Sequence, residues 1–231
     1  MESNNLKRLL FLIPFTILVI YFCAGIFYNT TYVVYIKPFI IPTFIVCTVI
    51  NNFEKLTSNY FLFVILFYIN EVSFLFYENS IQLSRTALIA SLFCYLALIN
   101  LGYNSIKTKN LYTIPKGYSL FIIALNCIFL IVILYILMSV IDDSYINIIL
   151  LFNAVVALFL GVTAYLYLAK FADKKAYYYF FGVFALIFND VFAAIGTYFI
   201  NNVVLNTLDR VLHFTSFYLI YLFVINEKKV K

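Results

Sequence analysis

Eight long apolar runs constrain this chain more than any other feature. Each holds about 20 mostly apolar residues, the length that a helix needs to cross the hydrocarbon core of a bilayer. The runs are residues 9–28, 33–50, 60–77, 83–100, 118–141, 145–169, 177–200 and 203–225. They do not alternate between apolar and polar residues, so the pattern favours helices over barrel strands. The sequence predicts an all-α polytopic membrane protein, a bundle of eight transmembrane helices in a single domain over residues 1–231.

The composition excludes a water-soluble protein. Hydrophobic residues make up 65% of the chain and charged residues 11%, whereas about 25% of a soluble domain is charged. So few charges cannot cover the apolar surface of a soluble globule. The net charge of +5 forms no patch of its own, so we expect no nucleic-acid partner. The expected partner is the lipid bilayer.

The positive charges predict the orientation of the helices. With the N-terminus and C-terminus both cytoplasmic, 12 of the 15 Lys and Arg residues fall in predicted cytoplasmic segments. These are Lys7, Arg8, Lys55, Lys107, Lys109, Lys116, Lys170, Lys174, Lys175, Lys228, Lys229 and Lys231. The distribution follows the positive-inside rule. We expect a multi-pass integral protein of the bacterial inner (cytoplasmic) membrane, and the sequence indicates no particular oligomeric state.

Six charged residues or histidines lie deeper within the predicted spans, apart from Arg85 at the interfacial start of span four. A charge at mid-bilayer costs about 2.5–3.5 kcal/mol. The six residues are Lys37, Glu71, Asp190, Asp209, Arg210 and His213. The rise of an α-helix places all six within about 15 Å of the outer ends of their helices. Since such groups turn away from lipid, we predict a polar cavity that is bounded by spans two, three, seven and eight and opens outward.

Two short motifs suggest an internal repeat. Asn70-Glu71-Val72 in span three is similar to Asn189-Asp190-Val191 in span seven. Each motif lies in the third helix of a four-helix half, which predicts a 4+4 repeat of about residues 1–115 and 116–231, as in transporter folds. The alternative is that three similar residues occur by chance.

The segment around Lys37 contains two prolines, Pro38 and Pro42. Prolines in a helix remove backbone donors and bend it. A lysine at such a bend has two interpretations: its ammonium group binds an anion, or it extends to the outer interface.

These residues resemble motifs of the YhhN-like family, the lysoplasmalogenase membrane proteins. Members have a similar length and eight helices, with a Lys-Pro motif in the second helix, Gly-Asp in the third and Ser-Asp in the seventh. Residues 35–42 (YIKPFIIP) resemble the first motif and residues 182–194 (GVFALIFNDVFAA) the third, with Asn189 in place of Ser. Asn70-Glu71 replaces Gly-Asp, and the histidine common in the fourth helix is absent from span four.

The resemblance implies a membrane-embedded hydrolase with a lysophospholipid substrate. The family cleaves the vinyl-ether bond of lysoplasmalogens to an aldehyde and a glycerophospho-alcohol. That chemistry needs a proton on carbon and an attacking water, and two carboxyl groups in different environments supply both. Glu71 and Asp190 are therefore the candidate catalytic pair. Candidate substrate-binding residues are Lys37, Asn70, Asn189, Arg210 and His213, of which the two cations suit a lipid phosphate.

Other interpretations of the charged residues remain open. One alternative is that the charged residues form a structural ion-pair network, and we favour this for Asp209 with its neighbours Arg210 and His213. Pro38 and Pro42 are assigned structural roles as well. Alternatively, the chain is a small proton- or ion-coupled transporter, or a non-catalytic membrane protein. We expect no cofactor and no metal site, because His213 is the sole histidine and the sequence has no phosphate-binding glycine loop.

Overall fold

The computed structural model describes residues 13, 15–21, 23, 37–53, 56–76, 80–107, 117–199 and 203–226. Within these ranges every regular element is a helix, so the all-α class is confirmed. We number the helices in chain order, with α1 described over residues 15–21. The others are α2 Lys37–Asn52, α3 Ser58–Leu75, α4 Ile81–Lys107, α5 Gly117–Val140, α6 Ser144–Phe171, α7 Lys174–Tyr198 and α8 Val203–Ile225.

Each predicted apolar run contains one of these helices. Four helical stretches are long and apolar enough to cross a membrane, namely Ile81–Ile106, Ser144–Phe171, Lys174–Gly196 and Thr207–Ile225. The apolar parts of α2 and α5, Phe39–Ile50 and Cys127–Val140, are shorter. Large apolar side chains cover the outside of the bundle, as Phe121 and Tyr135 on α5 show with 65% and 76% exposure. An apolar exterior of this kind is typical of a membrane protein.

Interhelical hydrogen bonds establish the directions of the central helices. Asn153 of α6 donates to the carbonyl of Leu88 at 2.9 Å, and Lys170 donates to the carbonyl of Ile106 at 2.9 Å. The second bond lies further toward the C-terminus than the first on both α4 and α6, so these two helices run parallel. The tightest neighbours are the pairs α3–α4 and α7–α8, which occupy matching places in the two halves of the chain. The 4+4 repeat itself stays a prediction.

A close contact holds α7 against α8. A Cβ atom at Gly182 would lie 3.1 Å from Cγ1 of Ile220 and 3.2 Å from Cβ of Leu219, so a side chain here would push these neighbours by a few tenths of an ångström. The rings of Tyr179 and Phe223 lie 4.7 Å apart. The residue numbers of the contacts rise along α7 as they fall along α8, so the two helices are antiparallel.

An aromatic core surrounds α8. The ring of Phe217 lies 5.1 Å from Phe44 of α2, 5.9 Å from Phe63 and 5.6 Å from Phe67, both of α3. Such ring pairs stabilise packing beyond the burial of their area. Helix α8 therefore joins α2 and α3 to the rest of the bundle.

The two ends of the bundle differ in charge. At one end, α6 and α7 are joined by Ala172 and Asp173 only, and Lys170, Lys174 and Lys175 flank this connection. Ala172 has a φ of 46°, which is the left-handed conformation that ends many helices. Asp173 caps α7 by accepting a hydrogen bond from the backbone N–H of Ala176 at 2.7 Å.

At the opposite end, Arg85 near the start of α4 forms an ion pair with Asp143. Its Nη2 donates to Oδ2 of Asp143 at 2.7 Å, and the other carboxylate oxygen accepts from the backbone N–H groups of Tyr145 and Ile146 at the start of α6. The hydrogen bond from Arg85 and the cap of α6 lower the pKa of Asp143 from its ordinary value of 3.8.

We expect Asp143→Asn to lower the melting temperature of the purified protein by a few degrees at most, because partly exposed ion pairs are weak. Asparagine still caps a helix, so the change removes the ion pair and keeps the cap. Because the pKa of Asp143 is lowered in the folded state, its contribution is present above pH 3.8 and is lost as the pH falls through the lowered pKa.

Thermal unfolding in detergent at neutral and acidic pH measures this effect, with Asp142→Asn as the matched control. Asp142 is the exposed neighbour in the same connection. A difference between Asp143→Asn and the unaltered protein that persists at the lowest pH would contradict the assignment.

Candidate functional site

Glu71 and Asp190 line one cavity of about 170 Å³, which we call the carboxylate cavity. Helices α3 to α8 all contribute to its walls. Ser84, Leu137 and Leu150 belong to these walls and lie near the Arg85–Asp143 end of the bundle. The structure thus brings the two predicted acidic residues to one cavity, near the Arg85–Asp143 end of the bundle.

The predicted walls of this cavity are partly wrong. Among the described side chains none from α2 lines it, whereas α4, α5 and α6 supply much of its surface. The reason is the packing of α4, which contacts α3 on one side and α6 on another. Helix α2 instead packs against α8, where Phe44 contacts Phe217 and Tyr221. Spans four to six carry no charge in mid-span, so the sequence does not indicate that they line the cavity.

Asp190 is held by three side-chain donors. Tyr95 and Ser91 of α4 both donate to its Oδ2, the latter at 3.2 Å, and Nδ2 of Asn189 donates to its Oδ1 at 3.2 Å. Ser91 and Tyr95 are spaced by four residues, so they share one face of α4. These donors fix the position of the carboxylate and stabilise its charge in an apolar surrounding.

Glu71 is paired with the only histidine of the chain. Nδ1 of His213 lies 3.5 Å from Oε1 of Glu71, and both side chains are about nine-tenths buried. The imidazole ring also packs on Phe67, with ring centroids 4.7 Å apart. His213 and Phe67 belong to α8 and α3, so this contact joins the two helices at the carboxylate cavity.

Arg210 faces a different part of the bundle. Its guanidinium group lies 4.8 Å from the ring centre of Tyr21, in cation–π geometry. Arg210, Tyr21 and His213 line a small cavity of about 20 Å³ on the α2 side of α8. His213 thus borders this small cavity and also contacts Glu71 in the carboxylate cavity.

The other predicted site residues divide into two groups. Asn70 and Asp209 line the carboxylate cavity with Glu71 and Asp190. Lys37 is the first residue of α2, and the side chains of Lys37 and Pro38 lie outside the described residues. Pro42 stands inside α2, as expected for a proline that removes a backbone donor there.

Ser91 and Tyr95 are not recognisable as partners of Asp190 from the sequence. Their spacing of four residues places them on one face of a helix, but serine and tyrosine are common in apolar helices.

Asn153 forms an interhelical hydrogen bond with the carbonyl of Leu88. The Oδ1 atoms of Asn153 and Asn189 are fully buried and have no hydrogen-bond partner within the described part of the chain. Both residues line the carboxylate cavity, although these two oxygen atoms expose almost no surface to it.

A second cavity of about 100 Å³ lies between α5, α6 and α7, and we call it the apolar cavity. Its walls include Gly161, Tyr165, Phe180 and Phe184. The apolar cavity and the carboxylate cavity share four wall residues, Leu130, Ala157, Ile187 and Val191.

Comparisons with protein-family models, curated proteins and solved structures find no match for this chain. The resemblance to the YhhN-like family therefore stays a prediction. The function has to be argued from the geometry of the two cavities.

We expect Tyr95→Phe to lower the free energy of unfolding by about 1–3 kcal/mol, because a buried carboxylate loses a donor. Tyr103→Phe is the matched control, since Tyr103 lies on the same helix and is 50% exposed. Unfolding of both variants by denaturant in detergent measures the difference. Equal stability of the two variants would show that the contact with Asp190 contributes nothing.

Proposed function

We propose that this protein is a membrane-embedded hydrolase that cleaves the vinyl-ether bond of lysoplasmalogen-like lipids. The observation that carries the proposal is that Glu71 and Asp190, from helices far apart in sequence, line one cavity with a mostly apolar wall. A carboxyl pair in such a cavity suits acid–base chemistry on a lipid. The motifs that resemble those of the lysoplasmalogenase family suggest that the bond cleaved is a vinyl ether.

The proposal includes the full membrane topology. We infer eight spans, cytoplasmic N- and C-termini and a place in the bacterial inner membrane. The lysines around the α6–α7 connection support a cytoplasmic position for that end of the bundle. The carboxylate cavity then lies in the outer half of the membrane, and its substrate comes from the outer leaflet.

The two carboxyl groups take different roles in this mechanism. Glu71 donates a proton to the vinyl carbon remote from the ether oxygen, which produces an oxocarbenium ion. Asp190 takes a proton from the water that adds to this ion, and the resulting hemiacetal collapses to an aldehyde and an alcohol. Asp190 suits the second role because its three donors stabilise a carboxylate. Glu71 takes the first role beside His213, whose Nδ1 lies 3.5 Å from its Oε1.

Other side chains supply substrate binding. The side chains of Asn70, Asn153 and Asn189 line the carboxylate cavity and bound the space for the glycerol end of the lipid. Lys37 and Arg210 are the proposed cations for the lipid phosphate. Arg210 lines the small cavity on the α2 side of α8, so the phosphate lies on that side. His213 completes the set, since it lines the small cavity and contacts Glu71.

Two other functions fit the structure less well. A transporter needs polar groups along its path, but the apolar cavity beside the carboxylate cavity has apolar and aromatic walls. A purely structural network accounts for the contacts of Asp190 with α4, yet it does not require Glu71 and Asp190 to line one cavity. The hydrolase uses the shared cavity and the apolar cavity beside it.

The test is an assay of the purified protein with lysophospholipids that carry an alkenyl, alkyl or acyl chain, with aldehyde release as the readout. We expect release from the alkenyl lipid only. Glu71→Gln and Asp190→Asn each lower the rate by about 10²–10⁴-fold, the usual contribution of a general acid or base.

Asp142→Asn is the control for loss of a carboxylate, since Asp142 lies in an exposed connection away from the cavity. All variants are checked for folding by gel filtration and thermal unfolding. Full activity in either cavity variant would remove that residue from the mechanism, and absence of aldehyde from every lipid would overturn the proposal.

A further inference from the structure

We propose that the apolar cavity between α5, α6 and α7 binds the hydrocarbon chain of a single-chain lipid. The polar end of the same lipid lies in the carboxylate cavity. The nature of the reacting group rests on the proposed function, but binding of the chain is a separate property and is tested separately.

The two cavities are adjacent. They share the side chains of Leu130, Ala157, Ile187 and Val191. Along α7, the residues at 190, 187, 184 and 180 line first one cavity and then the other at spacings of three and four, so they follow one face of the helix. A lipid that contacts Asp190 and passes between the shared side chains reaches the apolar cavity along this face of α7.

The length of this path suits a long chain. Ten residues of α7 separate Asp190 from Phe180, which corresponds to about 15 Å at the helical rise. That is half of a hydrocarbon core about 30 Å thick, and so about the depth of one leaflet. A chain that fills one leaflet fits the path from the carboxylates to Phe180.

The chemistry of the walls favours a hydrocarbon over other ligands. Phe129, Leu158, Val162 and Phe188 are among the lining residues, and none of the lining residues is charged. An ion or a headgroup would lose its hydration there without compensation. A methylene chain gains about 0.8 kcal/mol for each buried CH₂ group.

Gly161 keeps part of the apolar cavity open. A Cβ atom at this position would meet only Cδ1 of Ile187, at an ordinary contact distance of 3.8 Å. A side chain at 161 therefore begins without a clash, beside Ile187 in the wall of the cavity. The substitution Gly161→Phe shortens the space for the chain and leaves the carboxylate cavity in place.

The experiment measures binding of saturated alkyl-ether lysophospholipids, which are not cleaved, with a hexadecyl or an octyl chain. We expect Gly161→Phe to weaken the affinity for the hexadecyl lipid about tenfold relative to the octyl lipid, since several CH₂ groups lose their contacts. Val155→Phe is the matched control, because Val155 lies on the same helix with 42% exposure. It should keep the preference of the unaltered protein.

Photo-crosslinking of the unaltered protein makes the test independent of the variant's folding. A hexadecyl lipid with a diazirine near the chain end should label the segment around Gly161 and Tyr165, and unlabelled hexadecyl lipid should compete. Labelling that is confined to exposed residues such as Val155, or an unchanged chain preference in folded Gly161→Phe, would overturn the inference.

The outcomes separate this inference from the hydrolase. Chain binding at the apolar cavity without aldehyde release from any lipid supports the inference and overturns the hydrolase. Aldehyde release with the same chain-length preference in Gly161→Phe and the unaltered protein overturns the inference and supports the hydrolase.

Discussion

The burial of carboxyl groups within a bundle of apolar helices is the constraint on which the rest of this structure depends. A buried charge is tolerated only when neighbouring groups compensate the lost hydration. Asp190 of α7 meets this requirement on α4, through Ser91 and Tyr95, and Glu71 of α3 meets it on α8, through His213. Each acidic residue thus joins two helices, and a shift of either helix by one turn would separate the pair.

The sequence predicts the helices well but not their neighbours. Length and hydropathy determine that each run forms a helix, and acidic residues such as Asp143 and Asp173 mark where α6 and α7 begin. Which helices surround the carboxylates depends on packing between segments far apart in sequence. Ser91 and Tyr95 carry no charge, so the sequence does not mark them as site residues. The structure shows that both donate hydrogen bonds to Asp190.

Adjacent residues in sequence also proved to serve different regions. Asp209 and Arg210 are consecutive residues of α8, and successive residues of an α-helix point about 100° apart. In the structure Asp209 lines the carboxylate cavity, while Arg210 lies over Tyr21 in the small cavity. Whether Asp209 and Arg210 bind a substrate or stabilise the bundle depends on which face of α8 each residue occupies. Sequence alone does not reveal that face, because α8 is apolar around much of its circumference.

The connection between α6 and α7 has a consequence for how the protein is placed in a membrane. Two residues join helices of 28 and 25 residues, so the pair is a tight helical hairpin. Three ammonium groups surround its tip, and each would cost about 2.5–3.5 kcal/mol at the centre of a membrane. A tip with this charge resists passage through hydrocarbon. Asp190 lies on the second arm of the hairpin, so the same cost also disfavours a reversed placement of this carboxylate.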